Sequence, residues 1–149
     1  TFYGSIYPRH QHLIEELGLN DVINVLGIFP HHQVVAAQRA ATALLLIIGA
    51  GEGKAILTGK IFEYLGAQRP ILAIVPMDGE AATLVQRTNT GITVSPEAIP
   101  DIAQALEDLY QGWKTNSLLY APNTTEVAKY SRVEQAQQLS RLFTEVGQA

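Results

Sequence analysis

A threonine, a glycine and a lysine stand together at the start of one predicted helix, in the segment LTGKIFEYLGAQRPILAIVP. Thr58 occupies the position of an N-cap, and Gly59 and Lys60 follow it in the first turn. The free N–H groups and the positive end of the dipole at a helix N-terminus favour an anion such as phosphate. Gly59 lets an oxyanion approach the backbone closely, and Lys60 adds a compact positive charge. These residues therefore predict an anion-binding helix start.

A single glutamate lies one turn into the same predicted helix. Glu63 follows Lys60 by three residues and Gly59 by four, so the three residues share roughly one helix face. A carboxylate only accepts hydrogen bonds, and one turn below a phosphate site it can accept them from ribose hydroxyls. The alternative is that Lys60 and Glu63 form a solvated surface pair and that Thr58 is only a cap. The residue types alone leave both interpretations open.

Two better-known phosphate motifs do not fit the glycine-rich loop GAGEGK. The P-loop pattern requires glycine at position 48 and a hydroxyl residue at 55, where the chain has Ile48 and Ala55. The second Gly-Lys pair fails in the same way, and the dinucleotide pattern fails at Lys54. Paired metal ligation by His31 and His32 is also disfavoured, because adjacent helical side chains diverge and no third ligand accompanies them. We therefore predict no metal site.

Composition indicates a well-buried globular chain. Of its 149 residues, 47% are hydrophobic and 16% are charged, which is enough for a proper core and is not typical of disorder. The net charge of −4 leaves no basic surface for nucleic acid. The chain contains no cysteine, which excludes disulfides and fits a reducing compartment. Its longest apolar run, residues 40–50, is too short to span a bilayer.

Apolar runs alternate with helical periods along the chain, which predicts an α/β fold with a doubly wound parallel sheet flanked by helices. The predicted strands are TFYGSIY, DVINVLG, TALLLIIGAG, PILAIVP and GITV. The strand segments LLLII and ILAIV are apolar throughout, as expected where helices cover both faces of a sheet. Ligands of such sheets bind at the carboxyl ends of the strands, here the loops at 27–33, 49–60, 76–81 and 95–97.

The predicted helices carry their own boundary signals. In PRHQHLIEELG, Pro8 lies in the first turn and Gly18 ends the helix. Asp78 is expected to cap the helix in DGEAATLVQRTN. The next helix, in SPEAIPDIAQALEDLYQGW, places Ile102, Leu106, Leu109 and Tyr110 on one face. Residues 124–146 are predicted to form one long amphipathic helix.

The segment GKIFEYLGAQRPILAI resembles the "sKlfEYla-gkPila" signature of the C-terminal domain of GT-B retaining glycosyltransferases, a group that includes sucrose- and polysaccharide-synthesising enzymes. The upstream segment INVLGIFPHHQVVAAQRAATALLLI and the downstream segment from residue 78 to 110 are similar to the corresponding parts of that domain. The resemblance covers almost the whole chain. It implies one Rossmann-like, donor-binding domain over residues 1–149.

What the resemblance implies about the site is a set of donor contacts. Glu63 matches the glutamate that holds the donor ribose, and Thr58, Gly59 and Lys60 match the helix start that faces the diphosphate. Phe29, through its backbone, and His31 match the segment that contacts the base. The donor would be a UDP-, GDP- or ADP-linked sugar, with no further cofactor. No catalytic residue is assigned.

The chain departs from the family pattern in two places. A second glutamate is often found eight residues before the ribose glutamate, where this chain has Ala55; Glu52 is the nearest carboxylate that could contact the sugar. The family's first strand and helix, with basic diphosphate residues, would lie upstream of Thr1, as would the N-terminal acceptor domain. We therefore expect a fragment that has no transfer activity alone and binds nucleotides weakly at best, with an exposed strand edge that could pair in a homodimer.

The leading hypothesis is thus the nucleotide-sugar-binding half of a glycosyltransferase, acting with the acceptor domain of the same protein. The alternatives are a sugar-nucleotide epimerase of the same fold and a non-catalytic α/β module that binds a nucleotide or a protein. We expect a cytoplasmic protein; peripheral membrane attachment of the full-length protein stays open. The base, the sugar, the acceptor and the stereochemical outcome are also open.

Overall fold

The computed structural model describes residues 1–51, 55–118 and 120–147, which form seven helices and a three-stranded parallel sheet. The chain divides into two compact units, Thr1–Ala40 and Ala41–Ala149, each described by itself. The first unit contains α1 (Pro8–Glu16) and α2 (His31–Ala40). The second contains, in chain order, β1 (Leu44–Ile47), α3 (Gly59–Ala67), β2 (Ile71–Ile74), α4 (Glu80–Thr88), β3 (Gly91–Val94), α5 (Ile99–Lys114), α6 (Thr124–Ala128) and α7 (Arg132–Gly147). The alternation of helices and parallel strands confirms the predicted α/β class and is consistent with a Rossmann-like fold.

In the first unit, the two predicted strands are reduced to isolated bridges. Phe2 pairs in parallel with Val25, and Gly4 pairs antiparallel with Gly27. Both glycines have positive φ angles, 128° and 78°, which a regular ladder of extended residues cannot include. The predictions of full strands in TFYGSIY and DVINVLG are therefore wrong, because these glycines interrupt the pairing.

The first helix has the predicted boundaries. Pro8 is at the N-terminal end of α1, where its missing N–H costs no hydrogen bond. After the helix, Gly18 adopts φ 65°, its N–H donates to the Glu15 carbonyl, and the Leu19 N–H donates to the Ile14 carbonyl. These two bonds form a Schellman motif, which satisfies carbonyls that the helix end leaves open.

The sheet of the second unit has the strand order β1-β2-β3, with Leu44 opposite Ile71 and Ile71 opposite Gly91. A larger cluster of buried side chains lies on one face of this sheet and includes residues of β1, α3, β2 and α4, with Val127 and Tyr130 packed against it. A smaller cluster combines Leu72 and Val94 with Ala105 of α5. The core of this unit is therefore split between the two faces of the sheet.

Burial of β1 differs from the prediction. Strand β2 is almost wholly buried, as its apolar sequence indicates. In β1, by contrast, Leu44 and Leu46 are buried while Leu45 and Ile47 are 37% and 58% exposed. The smaller core cluster contains residues of β2, β3 and α5, but none of β1. The prediction that helices cover both faces of LLLII is thus wrong for β1.

Two predicted apolar helix faces are only partly used. On α5, Ile102 and Leu109 pack against the smaller cluster, whereas Leu106 and Tyr110 are 52% and 51% exposed. The predicted tail helix is two helices, α6 and α7. The Asn123 side chain accepts from the Glu126 N–H at the start of α6, and the Ser131 hydroxyl accepts from the Glu134 N–H at the start of α7. The second contact occurs in the sequence Ser-x-x-Glu, the signature of a capping box that begins a new helix.

Helix α7 exposes its apolar stripe along its length. None of its described residues is buried, and its large hydrophobic side chains are all more than half exposed: Val133, Leu139, Leu142, Phe143 and Val146. The sequence predicted an apolar face here, and the structure contains one, but among the described residues no element buries it.

Candidate functional site

The first turn of α3 lies at the carboxyl edge of the parallel sheet, because α3 follows the end of β1 and leads back to the start of β2. Thr58 is the N-cap, with extended angles of φ −72° and ψ 146°. The Ile61 N–H donates to the Thr58 carbonyl at 3.2 Å, which uses one of the N–H groups of this turn. The predicted helix start is therefore present, and it stands where ligands of parallel sheets bind.

The Thr58 side chain does not cap the helix. Its hydroxyl makes no capping hydrogen bond, and among the described residues this buried Oγ1 atom has no partner. Thr58 is therefore the N-cap by position, as predicted, but its hydroxyl does not satisfy a backbone N–H of the helix. An unpaired buried hydroxyl is costly, so a nearby acceptor would find a ready donor there.

Gly59 and Lys60 are both exposed at the helix start. Among the described residues, no atom lies within 4 Å of a Cβ atom added at Gly59, so they leave the space beside this backbone open. The Lys60 side chain makes no hydrogen bond or ion pair within the described part of the chain, and it is not paired with Glu63. The positive charge and the first-turn N–H groups are therefore accessible to an anion.

Glu63 is half-buried on the helix that this start leads into. Its neighbour Tyr64 is 9% exposed and donates from its hydroxyl to the Leu45 carbonyl at 3.1 Å, which ties α3 to β1. Burial raises the pKa of Tyr64, and the negative charge of Glu63 raises it further. Ile61 and Leu65 turn into the core. Glu63 is thus held on a helix whose opposite side is locked against the sheet.

The two base-contact candidates belong to the first unit. Phe29 is 38% exposed, and its ring lies edge-on to Tyr3 with the centroids 5.5 Å apart. His31 begins α2 and is exposed. Phe29 lies two residues before α2, and His31 is its first residue, so the loop predicted at 27–33 continues into the first turn of this helix.

The other loops of the carboxyl edge contribute two results. The N-cap of α4 is Gly79 and not Asp78, so the prediction that Asp78 caps this helix is wrong by one residue. Gly79 has extended angles of φ −95° and ψ 162° and makes no side-chain cap bond. Glu52, the carboxylate named for sugar contact, lies outside the residues that the structure describes.

Residues 1–51, 55–118 and 120–147 contain neither a metal-binding cluster nor a membrane-spanning helix. No group of three or more histidine or acidic side chains is arranged to hold a metal ion. None of the helices formed by these residues combines the length and apolar character needed to cross a bilayer.

Sequence inspection missed a cavity at the opposite, amino edge of the sheet. It has a volume of about 640 Å³ and is lined by the starts of β2 and β3, the last turns of α5 and the segment after it. The one sequence signal for it is Gly112, where an added Cβ would lie 3.2 Å from the Leu118 side chain. That glycine allows the segment after α5 to pack closely on the helix.

Comparisons of the chain with protein-family models, with curated proteins and with solved structures found no match.

Proposed function

We propose that this chain is the nucleotide-sugar-binding part of a GT-B glycosyltransferase, which moves a sugar from a nucleotide diphosphate to an acceptor. The observation that carries the proposal is the open first turn of α3 at the carboxyl edge of the sheet, with the exposed Lys60 and with Glu63 one turn below. A diphosphate bound there would receive hydrogen bonds from backbone N–H groups. A ribose would then lie within reach of the carboxylate.

Each proposed residue has a distinct part in holding the donor. The N–H groups of the first turn and Lys60 stabilise the diphosphate, whose negative charge grows when it leaves the sugar. The Thr58 hydroxyl, which lacks a partner among the described residues, supplies a further donor once the diphosphate is bound. Glu63 accepts from the ribose hydroxyls through charge-assisted bonds, which contribute on the order of 1.5–3 kcal/mol each. In the proposed enzyme, an acceptor domain completes the cleft.

The experiment is a titration of the ¹⁵N-labelled chain with UDP, GDP and ADP. We expect a dissociation constant of roughly 0.1–1 mM for the preferred nucleotide, about 4–5.5 kcal/mol of binding free energy. The largest backbone shifts should fall on Gly59, Lys60 and their helical neighbours. Shifts confined to other surfaces, or no shifts near about 10 mM, would refute the proposed site.

Variants then separate the contributions. Glu63→Gln keeps the size of the side chain but removes the charged acceptor, and should weaken nucleotide binding about tenfold. Gly59→Ala places a methyl group in the space that the diphosphate needs, and should also weaken it. Glu145→Gln is the matched control, because it makes the same charge change on a different helix, the exposed α7. It should bind the nucleotide as the wild type does. Equal affinities for Glu63→Gln and Glu145→Gln would reject the ribose assignment.

The second candidate is a non-catalytic α/β module that binds a protein partner, and the exposed apolar stripe of α7 favours it. A contiguous apolar surface of this kind is typical of an interaction site. The same titration distinguishes the candidates, because a purely protein-binding module should show no nucleotide-dependent shifts at the first turn of α3.

A further inference from the structure

The cavity at the amino edge of the sheet is separate from the proposed donor site, because parallel strands put their starts and their ends at opposite edges. Its volume of about 640 Å³ lies within the usual range for small-molecule sites. Its apolar lining comes from Ile71, Ile92, Leu109 and Leu118. The polar groups of the lining include the carboxylate of Asp108 and the hydroxyl of Tyr120.

The walls of this cavity are tied together by hydrogen bonds. The Asn89 amide donates to the Ala121 carbonyl at 2.7 Å, and the Asn123 N–H donates to the Thr88 carbonyl at 2.8 Å. These bonds join the segment after α5 to the turn that precedes β3. At the end of α5, the Ser117 N–H donates to the Gly112 carbonyl at 2.8 Å. The cavity is therefore largely preformed, which lowers the entropy that a ligand must lose on binding.

The charge of the lining points to the kind of ligand. Asp108 is the one formally charged residue among the described lining residues. Its carboxylate accepts from the Gln104 amide at 2.8 Å, but within the described part of the chain no cation pairs with it. A carboxylate has about four lone-pair positions, so most of its capacity is open to a donor from a ligand. Asp108 is itself exposed, and a lining that combines apolar side chains with this carboxylate fits a ligand with an apolar ring and a positive charge.

The Tyr120 hydroxyl of the lining is neutral near neutral pH. Burial raises the pKa of Tyr120, although the positive charge of Arg69 acts in the opposite direction. The phenol can therefore donate or accept a hydrogen bond without adding charge. Arg69 is not among the described lining residues, so Asp108 is the charged side chain there that a bound ligand contacts directly.

We propose that this cavity is a binding site for small organic amines that combine an aromatic or aliphatic ring with a protonated amino group. The ring packs against the apolar lining of the cavity, and the ammonium group contacts the Asp108 carboxylate. The site does not depend on the proposed glycosyltransferase function, since it uses none of the residues of α3.

The test uses the ¹⁵N-labelled full chain and three probes of one shape: 2-phenylethylamine, 2-phenylethanol and phenylacetate. We expect 2-phenylethylamine to shift the backbone signals of Gly91, Ile92, Gly112 and Ser117 with a dissociation constant near 1 mM, a reasonable affinity for so few atoms. The neutral alcohol should bind several-fold more weakly, and the anion should not bind measurably. Equal shifts from amine and anion, or no shifts near about 10 mM, would overturn the proposal.

A pair of variants isolates the role of the carboxylate. Asp108→Asn should reduce the affinity for the amine to that of the alcohol and leave the affinity for the alcohol unchanged. Asp101→Asn is the matched control: it removes one negative charge from the first turn of the same helix, away from the cavity lining, and it should bind the amine as the wild type does. If both variants weaken amine binding equally, only the net charge of the chain matters and the site is refuted.

Discussion

The first residue of β3, Gly91, has no room for a side chain. A Cβ atom built there would lie 1.9 Å from the carbonyl oxygen of Ile71 and 2.6 Å from its carbonyl carbon, both of which belong to the backbone of the adjacent strand. A flexible side chain could move out of the way, but a paired strand cannot. Gly91→Ala should therefore force β3 away from β2 at the point where their pairing begins.

The cost follows from the distances. Ordinary contact between non-bonded atoms is near 3.5 Å, so the strands must separate by roughly 1.5 Å at this pair. The Ile71 N–H donates to the Thr90 carbonyl at 2.9 Å, and such a displacement would break that bond. One lost hydrogen bond and the buried groups that it leaves unpaired cost about 2–4 kcal/mol of the free energy of unfolding. That is a large share of the stability of a small protein.

Urea unfolding, followed by the fluorescence of Trp113, measures this cost, because this sole tryptophan lies on α5 and reports on the second unit. The matched control is Gly59→Ala, where the added methyl group meets nothing within 4 Å. Alanine in a first helical turn should change the free energy of unfolding by less than about 1 kcal/mol, or raise it slightly. A Gly91→Ala variant within 1 kcal/mol of the wild type would refute the argument from close approach.

Three further results are expected. Thr88→Val removes the hydroxyl that hydrogen-bonds the buried Thr90 hydroxyl at 2.8 Å. It should lower the free energy of unfolding in urea by about 1–3 kcal/mol, and replacing Thr90 by valine as well should restore part of that stability. A double variant as unstable as Thr88→Val would contradict this. The hydrogen bond from Lys129 holds the pKa of Glu126 below its ordinary 4.5. The small contribution of this pair to stability is therefore present above pH 4.5 and is lost as the pH falls through the lower pKa of the folded state. NMR titration should show a higher pKa of Glu126 in Lys129→Met, and an unchanged pKa would contradict the assigned cause. Burial raises the pKa of Tyr64 above its ordinary 10.0. The folded state therefore favours the neutral phenol, and the protein loses stability as the pH rises past 10.0. Tyr64→Phe should lose less stability above that pH, and identical pH profiles of the two proteins would reject the role of the phenol.

Local signals in the sequence predicted much of the fold. The pair of Pro8 and Gly18 marked both ends of α1, and the apolar runs located all three strands of the second unit. These features succeed because the backbone conformations of proline and glycine, and the tendency of short apolar runs to form strands, depend little on distant contacts.

Of the features that the sequence did not predict, one has a local signal and the others depend on contacts between distant parts of the chain. The break between α6 and α7 follows from the capping contact of Ser131 with the Glu134 N–H, and the sequence Ser-x-x-Glu was available to predict it. The exposure of Leu45 and Ile47 could not be predicted from their apolar character, since it depends on which neighbour covers each strand. The cavity could not be predicted either, because it arises where segments distant in sequence meet.

The chemistry proposed for α3 depends on the same periodicity that builds the core. Ile61, Tyr64 and Leu65 are spaced three and four residues apart and are all buried, so they define the face of the helix that packs on the sheet. Gly59 and Glu63, four residues apart, must then share the opposite side, which is the exposed one at the helix start. A shift of one residue would carry the Glu63 carboxylate toward the core, where burial of a charge is costly. The packing of α3 therefore places its carboxylate on the same side of the helix as Gly59, which is the arrangement that the proposed donor site requires.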